Sequence, residues 1–580
     1  MCGIAGIIGH ADAYRQVKRM TATLAHRGPD GAGAYWAGPN AALGHSRLAV
    51  MDLSASGAQP MTSRDGRWTI VLNGEIFNYR ELRKELAGLP WRSTTDTEVL
   101  LEGCAAWGIE RALNRSIGMF AVGLWDAREQ ELTLARDRMG EKPLLYFEDH
   151  RSLAFASEIK ALRDFHGGYL DPDGVEVYLG LGYVPAPLAI FRNIRKLQAG
   201  HRLRWKNGHS IIDRWWFPER AGPVVERTAA GRIEKAHGLL ADAVGLRLRA
   251  DVPLALALSG GLDSSVVAAE AVRQGAKLDA FTVIAPGDET DLPYACSLAR
   301  RHGLRHEVVR MFGDVESIRA GIEQCVEHYD EPFADSSAVC SLSLAQALAG
   351  RYKVILNGDG GDEAFAGYGH YTHIAVKQKL KAAAARLGIV DGKGATSVYV
   401  QSRAVFRQWE SAELMNGHIR GGALCRLLTA DQYLQASPGG NALKRALRTD
   451  RHLGLSNGLT HKTDMALAAY GVEGRAPFLD HRILEWTQGL ASDDLVRGRE
   501  RKTLLRAAYR DELPPEILTR SKHGFGAPVN AWLAGPLAEL VQDALPCPLL
   551  EARLQKAAGG QRLWALLIFA QWARRWGARW

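Results

Sequence analysis

The chain has 580 residues, of which 47% are hydrophobic and 23% charged, with a formal net charge of +8. That length exceeds one ordinary core and predicts two or three domains of ordinary globular composition. Lys and Arg are scattered, apart from Arg574, Arg575 and Arg579 near the end, which argues against nucleic acid as a partner, and no uncharged apolar stretch is long enough to make a membrane one.

The chain opens Met1-Cys2-Gly3-Ile4-Ala5-Gly6-Ile7. Removal of Met1 would leave a thiol and a free α-amino group on one residue. An α-amine titrates at about 7.7–8.0 and can take the thiol proton, directly or through a water, so Cys2 could supply nucleophile and base together. On position alone, a cysteine that merely follows a start codon explains as much, and the rest of the chain decides. The segment lacks the charged and apolar regions of a signal peptide. The seven cysteines (Cys2, Cys104, Cys296, Cys325, Cys340, Cys425, Cys547) include no C-x-x-C pair. Neither a disulfide framework nor a cysteine zinc site is expected, and the reducing cytoplasm is the expected location.

Short strands are predicted at Ala42–His45, Trp68–Leu72, Phe120–Trp125 and Glu131–Ala135, punctuated by Gly, Asp and Asn as hairpins require. Helical patterns intervene at Tyr79–Glu85 and Glu98–Trp107. The mixture predicts an α+β unit over residues 1–212, a sandwich of antiparallel sheets with covering helices. Thr95 and Glu98 have the spacing of a capping box, which frees Asp96 to face a ligand.

Around Asp213–Val225, Arg, Pro and Gly interrupt both patterns, so residues 213–227 read as a linker to a second unit, 228–580. A helix at Ala229–Arg249 precedes the apolar strand Pro253–Leu258, and a Gly/Ser turn leads into a helix through Arg273. Strand Ala280–Ile284, helix Leu292–His302 and strands Arg305–Arg310 and Tyr352–Leu356 follow. This alternation predicts an α/β doubly wound parallel sheet. Residues 366–580 read as a mostly helical C-terminal region, with Leu563–Ala570 in a core-packed helix.

Two loops carry chemistry. The strand before Ser259-Gly260-Gly261-Leu262-Asp263-Ser264-Ser265 runs straight into a helix. Glycines admit an anion to backbone N–H groups, the helix start favours phosphate, the serines add donors, and Asp263 can hold magnesium. No Walker lysine follows, so the loop is not of the hydrolase type. It resembles the pyrophosphate loop of enzymes that adenylate a substrate. The second loop, Asn357-Gly358-Asp359-Gly360-Gly361-Asp362-Glu363, follows another strand. Strand C-terminal ends share one edge of an open α/β sheet, so Asp263 and Asp362 could meet on one magnesium ion.

At this point a family resemblance becomes specific and spans nearly the whole chain. The stretches Cys2–Gly6, His26–Gly31, Arg47–Asp52, Asn73–Asn78, Thr95–Glu98 and Arg136–Arg138 resemble a class II glutamine amidotransferase domain with an N-terminal nucleophile. The remainder resembles an asparagine synthetase domain. The resemblance implies that Cys2 attacks the glutamine amide to form a thioester, with Asn73 and the Gly74 N–H as oxyanion hole. It implies that Arg47 holds the glutamine carboxylate, Glu75 and Asp96 its ammonium, and that Leu48, Ala49, Val50 and Met51 line the pocket. Arg27 and Asp30 read as structural loop residues. In the second unit it places Ser259, Gly260, Gly261, Asp263 and Ser264 around pyrophosphate, Leu258 and Val283 beside adenine, and Asn357 and Gly358 on the nucleotide. Lys502 matches a lysine that stabilises a transition state, and Lys522 is a second phosphate contact. The stretch Val472–Asp480 matches one beside the synthetase pocket.

The chain departs from familiar asparagine synthetases at the second loop, where Asn-Gly-Asp-Gly replaces Ser-Gly-Glu-Gly. Asp359 thus stands for a glutamate tied to intermediate formation, and one methylene less reshapes an acceptor pocket. Gly474 stands where alanine is usual. The reaction implied uses ATP and magnesium to turn an acceptor carboxylate into an acyl-adenylate, which ammonia from glutamine attacks after crossing the interdomain interior. Aspartate is the leading acceptor. A sugar uronic acid or another biosynthetic carboxylate is the rival. A β-lactam synthetase-like cyclase is disfavoured by Cys2 and the glutamine pocket, and a non-enzymatic regulator by Asp263, Asp362 and Lys502. Small molecules are the expected partners; a homodimer and a carrier protein stay open.

Overall fold

The computed structural model describes all residues except 39, 219–223, 286, 312, 377–398, 401–402, 416–417, 419–420, 431–440, 522–523, 525 and 552–558. In the first part the strands are β1 (Gly3–Ile8), β2 (Gly31–Gly38), β3 (Ala41–Arg47), β4 (Met61–Thr62), β5 (Trp68–Ile76) and β6 (Gly118–Asp126). They continue with β7 (Glu131–Arg136), β8 (Leu145–Glu148), β9 (Leu153–Ala156), β10 (Ile194–Lys196), β11 (His201–Lys206) and β12 (His209–Arg214). They form two six-stranded sheets, β10-β8-β9-β1-β3-β2 and β12-β11-β7-β6-β5-β4, and every pairing in them is antiparallel.

The alternation that predicted strands also builds the layer between the sheets. Ile4 and Leu43 from one sheet meet Val71, Ala121, Trp125 and Leu132 from the other in one buried cluster. Phe155 crosses this layer. A Cβ on Gly6 would fall 2.2 Å from its ring, and one on Gly123 would fall 2.7 Å from it. Both strands therefore need glycine where the ring lies flat between them. The helix Asp96–Trp107 covers β5, burying Val99, Leu100 and Leu101 with Leu72 and Ile76. Thr95 caps that helix by accepting from Thr97 N. Glu98 departs from the expected capping box. Its carboxylate turns outward to accept from Arg92 N and Ser93 N, at 3.0 and 2.8 Å. It braces the loop ahead of the helix instead of the cap residue.

The second part contains β13 (Leu254–Ala257), β14 (Asp279–Ile284), β15 (Arg305–Arg310), β16 (Val354–Leu356) and β17 (Glu473–Arg475). They form one sheet, β15-β14-β13-β16-β17, parallel throughout. The order reverses between β13 and β16, which lie side by side with Leu256 opposite Leu356. Ligands bind outside the strand ends at such a switch point. The helix ahead of β13 spans Ala229–Arg247, two residues shorter than its periodicity suggests. Strand β17 is the element that the sequence concealed. Only three residues long, it completes the sheet from within a region read as helical, because Glu473 and Arg475 are paired and buried there. The helix Gln561–Trp576 packs Trp564, Leu567, Phe569 and Trp572 into the core, as its apolar run predicted. Among the described residues, no helix is long and apolar enough to cross a membrane.

Candidate functional site

Cys2 lies at the start of β1, a buried strand pinned on both sides by β3 and β9. Its thiol donates to Leu48 O at 3.7 Å, and Leu48 N donates to Sγ at 3.4 Å. Leu48 follows β3, so the neighbouring strand delivers the expected pocket residues Leu48–Met51 to the thiol. Burial pushes the Cys2 thiol up to about 11 and the Met1 amine down to about 5. The Met1 amine is therefore neutral near pH 7.

Asn73 and Gly74 come from β5, facing the same region from the other sheet. The Asn73 side chain is fully buried, and neither its amide nitrogen nor its oxygen finds a partner among the described residues. Orphaned polar groups at such depth are costly unless a ligand completes them. Gly74 has φ +141°, and a Cβ there would fall 2.0 Å from Met119 O. Glycine is the residue this turn of the backbone admits.

Glu75 and Asp96 lie together below. Burial raises both carboxyls, and Asp96 and Glu473 raise Glu75 further. Asp96 accepts from Ile76 N at 2.7 Å, and Glu75 stands 3.4 Å from Arg475 on β17. Arg47, at the end of β3, donates to Ser54 O at 2.8 Å and to Asp52 O. It thereby curls the loop after β3 around its own guanidinium.

Sequence reasoning missed the groups that tie this site to the second sheet. Arg27, read as a loop residue, is fully buried. It donates to Cys2 O at 2.9 Å, to Glu158 at 2.7 Å and to Asp464 at 2.6 Å. Lys142 reaches the same Asp464 at 3.3 Å. Asp30 accepts from Lys353 at 2.9 Å, just before β16. These partners lie up to 437 residues apart, so no local spacing could have announced them.

At the switch point, β13 leads through Leu258–Gly261 into the helix Leu262–Arg273, whose N-terminus has no side-chain cap. The serines organise the loop internally. Ser259 and Ser264 hydroxyls lie 3.0 Å apart, and Ser264 and Ser265 both donate to Gly261 O. The second loop interlocks with the first. A Cβ on Gly358 would fall 2.8 Å from Ser264 N, and one on Gly361 would fall 2.4 Å from the Asp263 carboxyl carbon.

The expected acids converge. Lys502 Nζ lies against Asp263 at 2.5 Å and against Asp362 at 2.6 Å. One cation already bridges both carboxylates, and burial lowers the Lys502 ammonium. Two acids on one point, beside a bare helix start, fit a hard divalent ion such as magnesium. Lys502 itself has φ +54° at the start of the helix Thr503–Ala508. Asp359 lines the cavity opened by the loops and accepts from Thr463 on the helix Thr460–Ala468 at 2.7 Å and from Asn357 Nδ2 at 3.1 Å. Lys522 lies outside the described residues. Two residues earlier, Arg520 donates to Gly260 O at 3.0 Å and stacks on Tyr294, so this segment does reach the first loop.

Both loops open on a cavity of about 750 Å³. Leu258, Val283, Asn357 and Lys502 line it near the loops, and Tyr183, Phe333, Tyr399 and Arg403 farther out. Glu363 on its wall is buried, accepts from Tyr368 at 2.6 Å and is pushed up to about 7 by burial. Phe281, Ile355 and Leu467 line the cavity and also pack in the apolar cluster that holds Met1. Leu467 explains Gly474 as well, since a Cβ there would fall 2.7 Å from Leu467 Cδ1.

Residues 1–216 match the glutamine amidotransferase domain family, and residues 235–574 match the asparagine synthase family. A Mycobacterium bovis protein, provisionally named a glutamine-hydrolysing asparagine synthetase, is 30% identical, covering 98% of this chain and 95% of its own. Asparagine synthetase 1 of Bacillus subtilis is 27% identical, over 99% of this chain and 96% of its own. An amidase of Gibberella zeae, chry2, is also 27% identical, over 94% of this chain and 91% of its own.

Proposed function

We propose, from the premise that this chain belongs to the glutamine-hydrolysing asparagine synthase family, that it adenylates aspartate with ATP and amidates it with ammonia taken from glutamine. The observation that carries the reading is a shared wall. Phe281, Ile355 and Leu467 separate the start of the chain, where Cys2 lies, from the cavity at the phosphate loop. An apolar wall suits ammonia, which is uncharged and would be lost as ammonium in water.

In the first half-reaction Cys2, relieved of its proton by its own amine once Met1 is gone, attacks the glutamine amide. Asn73 and the Gly74 N–H stabilise the oxyanion, a contribution of roughly 3–4 kcal/mol per donor in comparable sites. Glu75 and Asp96, two carboxyls under mutual repulsion, are relieved by the substrate ammonium. Arg47 at the pocket mouth meets the substrate carboxylate.

In the second half-reaction the bare helix start at Leu262, with Ser259 and Ser264, holds the pyrophosphate of ATP. Leu258 and Val283 flank the base. Asp263 and Asp362 would hold magnesium, which supplies charge neutralisation at the phosphates. The acceptor carboxylate attacks the α-phosphorus, pyrophosphate leaves, and ammonia displaces AMP. Lys502 then offsets charge at the reacting phosphate. Asp263 and Asp362 are thus asked to serve as ligands, Lys502 and Asp359 to position the reacting groups.

A second reading, a larger carboxylate acceptor, is favoured by one observation. The lining of the cavity includes the aromatic side chains of Tyr183, Phe333 and Tyr399 in addition to the loops. The decisive experiment is ATP–pyrophosphate exchange with a panel of acids. Exchange with aspartate is the expected outcome. Exchange only with uronic or aryl acids establishes the second reading, and no exchange with any acid removes both.

A further inference from the structure

Three metal-ligating side chains converge outside the cavity. His237 lies on the helix Ala229–Arg247, Glu270 on Leu262–Arg273, and Glu512 just beyond Thr503–Ala508. One ligand atom from each lies within 4.8 Å of the others. None of the three lines the cavity.

The imidazole decides what fits between them. His237 Nε2 faces the Ala508 carbonyl, which can only accept, so Nε2 carries the proton. In the neutral ring Nδ1 is then a bare lone pair. Yet it points at two carboxylate oxygens, Glu270 Oε1 at 3.7 Å and Glu512 Oε1 at 3.6 Å. Those separations are too long for direct hydrogen bonds. A lone pair facing two anions across a gap calls for a cation in the gap. Metal bonds of about 2.0–2.2 Å to nitrogen and oxygen set ligand atoms about 3.4 Å apart around a tetrahedral centre. A slight contraction of the two His237–carboxylate spacings, with the two carboxylates drawn together from within 4.8 Å, meets that geometry.

The surroundings support the fit. Glu270 is fully buried and oriented by the Tyr509 hydroxyl at 2.7 Å and by Arg273. Outer partners of this kind hold a metal ligand in place. His237 and Glu512 are partly exposed, with 22% and 35% of their side-chain surfaces open, which leaves an entry path and a fourth position for water.

We propose that His237, Glu270 and Glu512 form a binding site for a divalent transition-metal ion of the zinc type. An imidazole with two carboxylates selects such ions over magnesium, which prefers oxygen ligands alone. The site joins the helix carrying His237 to two others. The one carrying Glu270 begins at the Asp263 loop, and the one ahead of Glu512 begins at Lys502. The metal thus joins the far ends of the elements whose near ends make the Asp263–Lys502 contact.

The test uses the full-length protein, purified without chelator and analysed for metal by plasma mass spectrometry. Stripped protein is then titrated with zinc chloride while its thermal midpoint is followed, beside Glu512→Gln and Asp362→Asn. Expected are about one zinc per chain and an upward midpoint shift, both lost in Glu512→Gln and both kept in Asp362→Asn. Glu512 sits in a partly exposed turn outside the helices, so its variant isolates the ligand. Absence of zinc and of any midpoint response overturns the proposal, leaving a protonated His237 between two carboxylates. Equal zinc uptake by Glu512→Gln, or loss confined to Asp362→Asn, overturns it as well.

Discussion

The region around Cys2 and the region around Lys502 satisfy their polar groups in opposite ways. Around Cys2, strand β5 and the first turn of the helix Asp96–Trp107 hold buried polar groups that the described residues compensate poorly. Asn73 has an orphaned amide, and Glu75 and Asp96 are carboxyls raised by burial. Around Lys502, loops hold groups that the protein completes by itself, with one ammonium lying between Asp263 and Asp362. The difference follows from the scaffold. A strand pinned on both sides can carry an unsatisfied group, because the ladder supports the cost. A glycine-rich loop cannot, and two facing carboxylates there need an internal counter-ion. On the proposed reading, the first site is completed by its substrate, whereas the second exchanges a charge that it already owns.

The sharpest way to break this contrast is to empty the first site chemically. Cys2→Ala should abolish glutamine-dependent amide formation while ammonia-dependent formation stays within about threefold, because the cavity and its loops are untouched. Loss of both activities would mean that the two regions are not separate catalytic units. Next in size is Asn73→Ala. Removing one preorganised donor should lower glutaminase kcat by roughly 10²–10³-fold with little change in KM. Since Asn73 has no partner to abandon among the described residues, its loss should not destabilise the fold. A fall in thermal midpoint that matched the loss of activity would sink the idea that its amide awaits a ligand.

The second region predicts the opposite behaviour. Lys502→Ala leaves Asp263 and Asp362 facing each other without their cation. The variant should melt below the wild type, with a loss on the order of 1–3 kcal/mol for an uncompensated charge pair. Magnesium chloride alone should then raise its midpoint more than it raises that of the wild type. An equal magnesium response in both proteins would show that the ammonium and the metal do not contend for one place.

How much of this was legible in the sequence tracks sequence separation. Strands β3, β5, β6, β7 and β13 to β16, with the two phosphate loops, were readable because each rests on local alternation or on a loop directly after a strand. Asp263 and Asp362 could be paired because strand ends of a parallel sheet share an edge. What stayed hidden is what the fold brings from afar. Arg27 looked like loop scaffolding until Asp464 arrived beside it. Glu75 gained Arg475 from a three-residue strand too short to show any period. Glu98 kept the spacing of a capping box but spent its carboxylate on Arg92 and Ser93, because both backbone donors were nearer. Asp359 was legible as a substitution, yet its partner was not, since Thr463 reaches it from the helix Thr460–Ala468.

The smallest expected effect compares the two regions through pH. His45 on β3 is fully buried and donates from Nε2 to Leu72 O at 3.2 Å, from one sheet to the other. Burial holds its folded pKa down to about 3, against 6.5 when exposed. Its contribution to stability is complete above pH 6.5 and is lost as pH falls toward 3, by about 1 kcal/mol per pH unit, because only the unfolded chain takes up the proton. Glu363 on the cavity wall has the opposite sign. Burial raises its carboxyl from 4.5 to about 7. Its contribution is complete below pH 4.5 and is lost as pH rises to about 7, by a similar amount per unit. Between pH 5 and 6.5 the two slopes oppose each other and partly cancel. Across that window Glu363→Gln should therefore lose stability to urea on acidification more steeply than the wild type, and His45→Gln should lose it as pH rises, a slope of the opposite sign. Identical slopes in the wild type and both variants would mean that neither group changes its protonation on unfolding.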